Sequence, residues 1–293
     1  MKRNDNLVCH LCAFTTVLLW AGTNVANRIL RGAFTANQIS AVRFLIAAVI
    51  MLAIALVKKV KLPRKQDLPL LALSALTGLV LRNIALAVSA KNLPVAIGSI
   101  IQATSPVFTV LLAWIILHEP LNKLGWIAVA IEFAGITILS IGETTVGEGL
   151  WIGVAAALTA AIVMAVYNLL QRRIVKLYSP LESNIYGSVL AAFMLAYFLP
   201  SSFASIPAAT SFQIGALIFQ GVGPAAISYL LWNQAMKLAK KTSDVSNYMF
   251  LTPVLTTILG MFILKEIPSV NTLIGGGIIM AGLVLYRVSA RKG

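Results

Sequence analysis

Acidic residues are scarce in this chain: its 293 residues include nine Asp and Glu against 23 Lys and Arg, with only two His and two Cys. The nine acids are scattered, which excludes an Asp-rich diphosphate site, and His10 and His118 lack the neighbours that hydrolysis or acyl transfer needs. Cys9 and Cys12 form one C-x-x-C around His10; without a second ligand pair they read as small apolar residues on a helix face, and no metal or cofactor is implied. Gly275-Gly276-Gly277 has no strand before it, so close helix packing explains it better than a phosphate loop. Charge as a whole is sparse, at 11% of residues.

Apolar residues fill the space that charge leaves. They make up 59% of the chain, and the mean hydropathy is +0.90, outside the range of soluble domains. The composition is that of an all-α integral membrane protein in contact with membrane lipid. Runs long enough to cross about 30 Å of hydrocarbon fall near 8–27, 38–57, 68–90, 95–117, 124–141, 150–171, 184–199, 212–236, 244–264 and 272–289. Ten transmembrane helices are therefore expected. Lys2-Arg3 before the first run resembles a signal peptide, but the run has span length and further spans follow, so it reads as the first helix.

Basic residues set the expected orientation. With the N-terminus in the cytoplasm, 17 Lys and Arg face inward and four (Arg28, Arg31, Lys91, Lys265) face outward, while Arg43 and Arg82 lie inside spans. Both termini are then cytoplasmic. The net charge of +14 reflects this topology and calls for no nucleic-acid partner.

The chain also repeats itself. Thr104-Ser105-Pro106-Val107, an apolar run and Glu119 return 147 residues later as Leu251-Thr252-Pro253-Val254 and Glu266, with Gly135 and Gly282 at the same offset. Asn24-Val25-Ala26-Asn27-Arg28 corresponds to Asn168-Leu169-Leu170-Gln171-Arg172 at an offset of 144. Residues 1–143 and 144–293 thus read as two five-helix copies. An odd number of spans inverts the second copy relative to the first, a skeleton suited to alternating access around a site between the halves.

These features resemble the EamA family of the drug/metabolite transporter superfamily, and most closely its YddG-type amino-acid exporters. The likeness rests on the Pro106 to Glu119 and Pro253 to Glu266 segments, Gly135 and Gly282, Arg43 early in helix two, and Tyr229-Leu230-Leu231-Trp232-Asn233-Gln234-Ala235 in helix eight. It implies a ten-helix basket in a bacterial inner membrane, with helices one, three, four, six, eight and nine around a central cavity and five and ten at the periphery.

Within that frame, Arg82 is the leading site residue. It lies about 21 Å along helix three by helical rise, too deep for its side chain to reach either headgroup layer easily, and no acid on that helix neutralises it. It reads as an anchor for a substrate carboxylate, or else as a structural arginine bonded to backbone carbonyls or to Glu132. Arg43, nearer its helix end, is expected to snorkel outward. Trp20, Asn24, Asn83, Gln102, Tyr167, Asn168, Tyr229, Trp232, Asn233, Asn247 and Tyr248 are the polar and aromatic candidates for the cavity lining. Pro106 and Pro253 are candidate bending points, with the Ser105 and Thr252 hydroxyls expected to satisfy the freed carbonyls. Glu132, mid-helix five, is read as protonated or paired, and as the candidate for proton coupling. Glu119 and Glu266 are expected to pair with Lys123 and Lys265 at the interface.

The absence of a deep carboxylate on the cavity helices disfavours cationic drugs, and the expected substrate is a small metabolite, best a neutral, apolar or aromatic amino acid. Export of other metabolites or drugs is the nearest alternative. An intramembrane lipid-modifying enzyme and a non-transporting scaffold are the alternatives of a different class. Native substrate, energy coupling and oligomeric state are not encoded legibly.

Overall fold

The computed structural model describes residues 3–105, 107–109, 111, 112, 123–141, 149–239, 245 and 247–292. Among the described residues the chain is helical throughout, without strands. Six helices are long and apolar enough to cross a membrane: α1 (Arg3–Ile29, apolar from Leu7), α2 (Ala36–Lys58), α3 (Lys65–Asn92), α6 (Leu150–Leu177), α7 (Pro180–Ala208) and α8 (Ser211–Leu238). Between and after them lie α4 (Val95–Thr109), α5 (Lys123–Ile141), α9 (Leu251–Leu264) and α10 (Val270–Lys292). Against the ten spans expected, six are clear among the described residues, with shorter apolar stretches at Val95–Thr109, Leu251–Leu264 and Val270–Gly282.

Helix starts follow local chemistry. Thr35, Ser179 and Thr210 accept from the backbone N–H three residues on, and Gln38, Glu182 and Gln213 reach back to the cap N–H, closing capping boxes on α2, α7 and α8. Helix packing relies on small residues, since lipid offers no hydrophobic drive for helices to associate. Ala157, Ala160, Ala161 and Ala165 run along one buried face of α6, and α6 packs on α3. A Cβ on Gly135 of α5 would stand 3.0 Å from the Gly275 carbonyl oxygen of α10, so the glycines let these two backbones close up. The apolar residues left outside, Phe193, Tyr197 and Phe262 among them, are more than three-quarters exposed, as lipid-facing side chains are.

Helices pair across the midpoint of the chain. α1 packs on α8 and α3 on α6, while α2 packs on α7, α4 on α9 and α5 on α10. α3 and α8 share a further irregularity. Each contains one wide π turn, at Ala75–Leu81 and Gly221–Ile227, displaced from one another by 146 residues. Such turns rotate the following side chains relative to a regular helix and often mark functional sites.

Candidate functional site

The residues just past those two π turns meet each other. Asn83 of α3 donates through Nδ2 to the Tyr229 hydroxyl of α8 at 3.3 Å, and these two positions are themselves 146 residues apart. Arg82 donates through Nη1 to the same hydroxyl at 3.3 Å, and the hydroxyl donates to the Gly78 carbonyl at 2.8 Å. Asn83 also donates to the Leu79 carbonyl at 2.7 Å. Tyr229 is fully buried, and its single hydroxyl organises a cation, an amide and a backbone carbonyl.

Aromatic rings complete the surround. The Arg82 guanidinium sits 4.7 Å from the centre of the Trp20 ring, a cation–π distance. Trp20 packs on Trp232 at 4.9 Å and on Tyr229 at 5.6 Å, and Tyr167 meets Tyr229 edge-on at 5.9 Å. Helical spacing explains the convergence. Gly78 and Arg82 on α3, and Tyr229 and Asn233 on α8, stand one turn apart and share a face. Arg82 is 4% exposed, and among the described residues it has no carboxylate partner. Among the described residues its hydrogen-bond partner is the Tyr229 phenol; of the alternatives expected from sequence, the Glu132 side chain lies outside them.

Gly78 holds the arrangement together and escaped the sequence reading. A Cβ there would lie 2.0 Å from Cδ2 and 2.4 Å from Cγ of Tyr167, so the tyrosine ring lies flat against bare backbone. Below it, the Tyr167 hydroxyl donates to Asn233 Oδ1 at 3.3 Å, and Gln171 Nε2 donates to the same oxygen at 2.8 Å and to Ser183 Oγ at 2.7 Å. A cavity of about 10 Å³, room for one water, adjoins Tyr167, Gln171, Ser183 and Asn233. The unpartnered Gln171 Oε1 is a ready acceptor for it.

Other candidates form separate groups. Gln102 Nε2 of α4 donates to Asn24 Oδ1 of α1, and Asn24 Nδ2 donates to Thr256 Oγ1 of α9, each at 3.2 Å. Thr256 was not foreseen. Tyr248 meets His10 at 3.0 Å, away from the arginine cluster. Asn168 is buried with Oδ1 unpartnered. Pro106 and the side chains of Asn247 and Glu132 lie outside the described residues, as does Glu119. Pro253 is buried near the start of the Leu251–Leu259 helical turns, directly after a tighter 3-10 turn at Asn247–Phe250. In α4 the regular helix likewise breaks at Ala103 and Thr104.

Three expectations are corrected. Arg43 does not snorkel: it is 1% exposed and donates through Nη1 to Gln220 Oε1 at 2.8 Å. The reason is the close approach of α8, where a Cβ on Gly221 would stand 2.6 Å from Ile46 Cβ; bare backbone lets α8 cover α2 at this level. Glu266 pairs with Arg28 of α1 at 2.8 Å and accepts from the Val95 N–H at 3.1 Å, so its partner is a neighbouring helix and not Lys265. The Ser105 and Thr252 hydroxyls are buried without a hydrogen bond; the Thr104 hydroxyl, one residue earlier, donates to the Ile101 carbonyl at 2.6 Å.

The model of the EamA-like transporter family matches twice, over residues 7–141 and 151–288. A probable terminal-alkyne amino-acid exporter of Streptantibioticus cattleyicolor is 28% identical, with 92% of this chain and 90% of the relative covered. The uncharacterized transporter YyaM of Bacillus subtilis is 30% identical over 86% of this chain and 85% of its own, and the uncharacterized inner membrane transporter YedA of Escherichia coli 27% identical over 93% and 88%. A crystal structure 21% identical to this chain shares its fold, with a TM-score of 0.64 over 97% of this chain and 98% of that one. Matched over nearly its whole length, the chain belongs to the EamA-like transporter family.

Proposed function

We propose that this transporter exports small carboxylate-bearing metabolites, best matched by amino acids with neutral, apolar or aromatic side chains, across a bacterial inner membrane by alternating access. Membership of a family of transporters makes it a carrier and not an enzyme. The observation that carries the substrate class is Arg82: a buried cation with a phenol and an indole as neighbours and no acid among the described residues to neutralise it. A carboxylate placed there would gain a charge-assisted hydrogen bond in a low-dielectric setting, and Trp20, Trp232 and Tyr167 would hold an apolar side chain. The relative named as an amino-acid exporter agrees with this choice.

Residues 1–143 and 144–293 are proposed as inverted halves, with both termini in the cytoplasm. Support comes from the double family match, from helix pairings that map onto themselves when the halves are exchanged, and from the matched π turns beside Arg82 and Tyr229. In this conformation the arginine cluster is packed shut, so substrate entry requires the halves to rearrange, with Pro106 and Pro253 as the proposed flex points.

Arg43 supports a second reading. It is buried as completely as Arg82 and, among the described residues, it too has no carboxylate partner, so the spans hold two buried cations. A solute with two negative charges, such as a phosphorylated metabolite, would use both.

Counterflow in proteoliposomes with a panel of amino acids, lipophilic cations and phosphorylated metabolites tests these readings. Arg82→Ala is expected to abolish amino-acid counterflow, with Arg82→Lys restoring part of it. Undiminished counterflow in Arg82→Ala refutes the anchor. Glu132→Gln with unchanged pH dependence removes the proposed proton coupling.

A further inference from the structure

Away from the arginine cluster, where α1 ends and α2 begins, a cavity of about 700 Å³ opens between the α1–α2 turn, the end of α3, the start of α6 and the end of α7. The turn that shapes its rim depends on Gly32, whose φ of +91° an L side chain rarely adopts. Arg31 and Lys91 both line the cavity and both are exposed, and among the described residues that line it none is acidic. Among the described residues neither cation has a hydrogen bond or ion pair.

A third group gives the site direction. Asn27 lines the cavity, is 3% exposed, and has an Nδ2 without a partner. Its orientation is fixed from behind. Arg43 can only donate, so Gln220 must present Oε1 to it; Gln220 Nε2 then donates to Asn27 Oδ1 at 2.7 Å, and the Asn27 amide is left with its N–H donors free. A buried guanidinium thus polarises two amides in series, and the series ends in unmet donors on a residue that lines a cavity with two further cations.

From this we infer that the cavity is an oxyanion site, separate from the arginine cluster, that takes one carboxylate or phosphate group between Arg31, Lys91 and Asn27. Lys91 stands nine residues beyond Arg82, half a helical rotation away, so the two cations serve opposite faces of α3. The inference rests on the proposed topology only for its side of the membrane, which is the outer one. The oxyanion has two sources with the same chemistry, a soluble solute or a lipid headgroup.

The test uses the full-length protein in neutral detergent at fixed ionic strength, with the thermal midpoint followed as inorganic phosphate, or separately short-chain phosphatidylglycerol, is added. Binding to the folded state raises the midpoint to saturation. A saturating rise with phosphate identifies a soluble oxyanion, and one with phosphatidylglycerol alone identifies a headgroup; either supports the site. The half-saturating concentration should rise at least tenfold in Arg31→Gln/Lys91→Gln and in Asn27→Asp, and stay unchanged in Lys58→Gln/Lys59→Gln. Absence of saturation with both ligands, equal losses in the control pair, or an unaltered response in the first two variants would overturn the inference. A response lost in Arg82→Ala but kept in Arg31→Gln/Lys91→Gln assigns the anion to the central cluster: this inference then fails and the transport reading stands.

Discussion

Gly78→Ala is the sharpest probe of how the central cluster is built. The new Cβ would sit 2.0 Å from Tyr167 Cδ2 and 2.4 Å from Cγ, where ordinary carbon contacts lie near 3.5–4.0 Å. The atoms struck are at the root of the ring, so no rotation about the far end of the side chain relieves them. The ring must move by roughly 1.5 Å or the π turn must shift. Ring movement breaks the Tyr167–Asn233 hydrogen bond and the edge contact with Tyr229; turn movement displaces the Gly78 carbonyl that the Tyr229 hydroxyl binds. Overpacking of this kind costs about 3 kcal/mol. Thermal and denaturant unfolding in detergent measure it, and the decisive experiment is a double-mutant cycle. In a Tyr167→Ala background the methyl group has room, and Gly78→Ala should then cost less than about 1 kcal/mol. Additive effects of the two substitutions would refute the argument that the glycine exists to seat the ring.

Two other variants probe the polar contacts between helices. Glu266→Gln keeps an oxygen for the Val95 N–H but removes the charge facing Arg28, and is expected to lower stability by about 1 kcal/mol and to reduce the salt dependence of the thermal midpoint. A midpoint as salt-sensitive as that of the unaltered protein would exclude this ion pair as a contributor. Arg43→Met combined with Gln220→Leu and Asn27→Leu removes the whole buried series, the charge with its two unmet nitrogens and both amides, and should leave stability unchanged or raise it by about 1 kcal/mol, as measured by thermal unfolding. A loss above about 2 kcal/mol would show that the guanidinium is more fully solvated or paired than its contacts indicate.

Composition alone determined that the solvent of this chain is lipid, because 11% charge and 59% apolar residues leave too little polar surface to meet water. The depth of Arg82 and its isolation from any acid on its own helix were equally readable, since helical rise converts residue number into position. Trp20, Tyr167, Tyr229 and Trp232 were legible as aromatic candidates on three helices, but their gathering at Arg82 was not. Arg43 was misread because its distance from the helix end suggested an escape route, and only the approach of α8 at Gly221 closes that route. Glu266 was misassigned for a similar reason: proximity in sequence favoured Lys265, whereas packing brought Arg28 from α1. Gly78 left no periodic or chemical signal, because what makes it necessary is a ring carried by α6. A sequence fixes how deep each side chain lies along its own helix; which neighbour it meets there depends on how closely two backbones approach, and that is decided by small residues acting across helices.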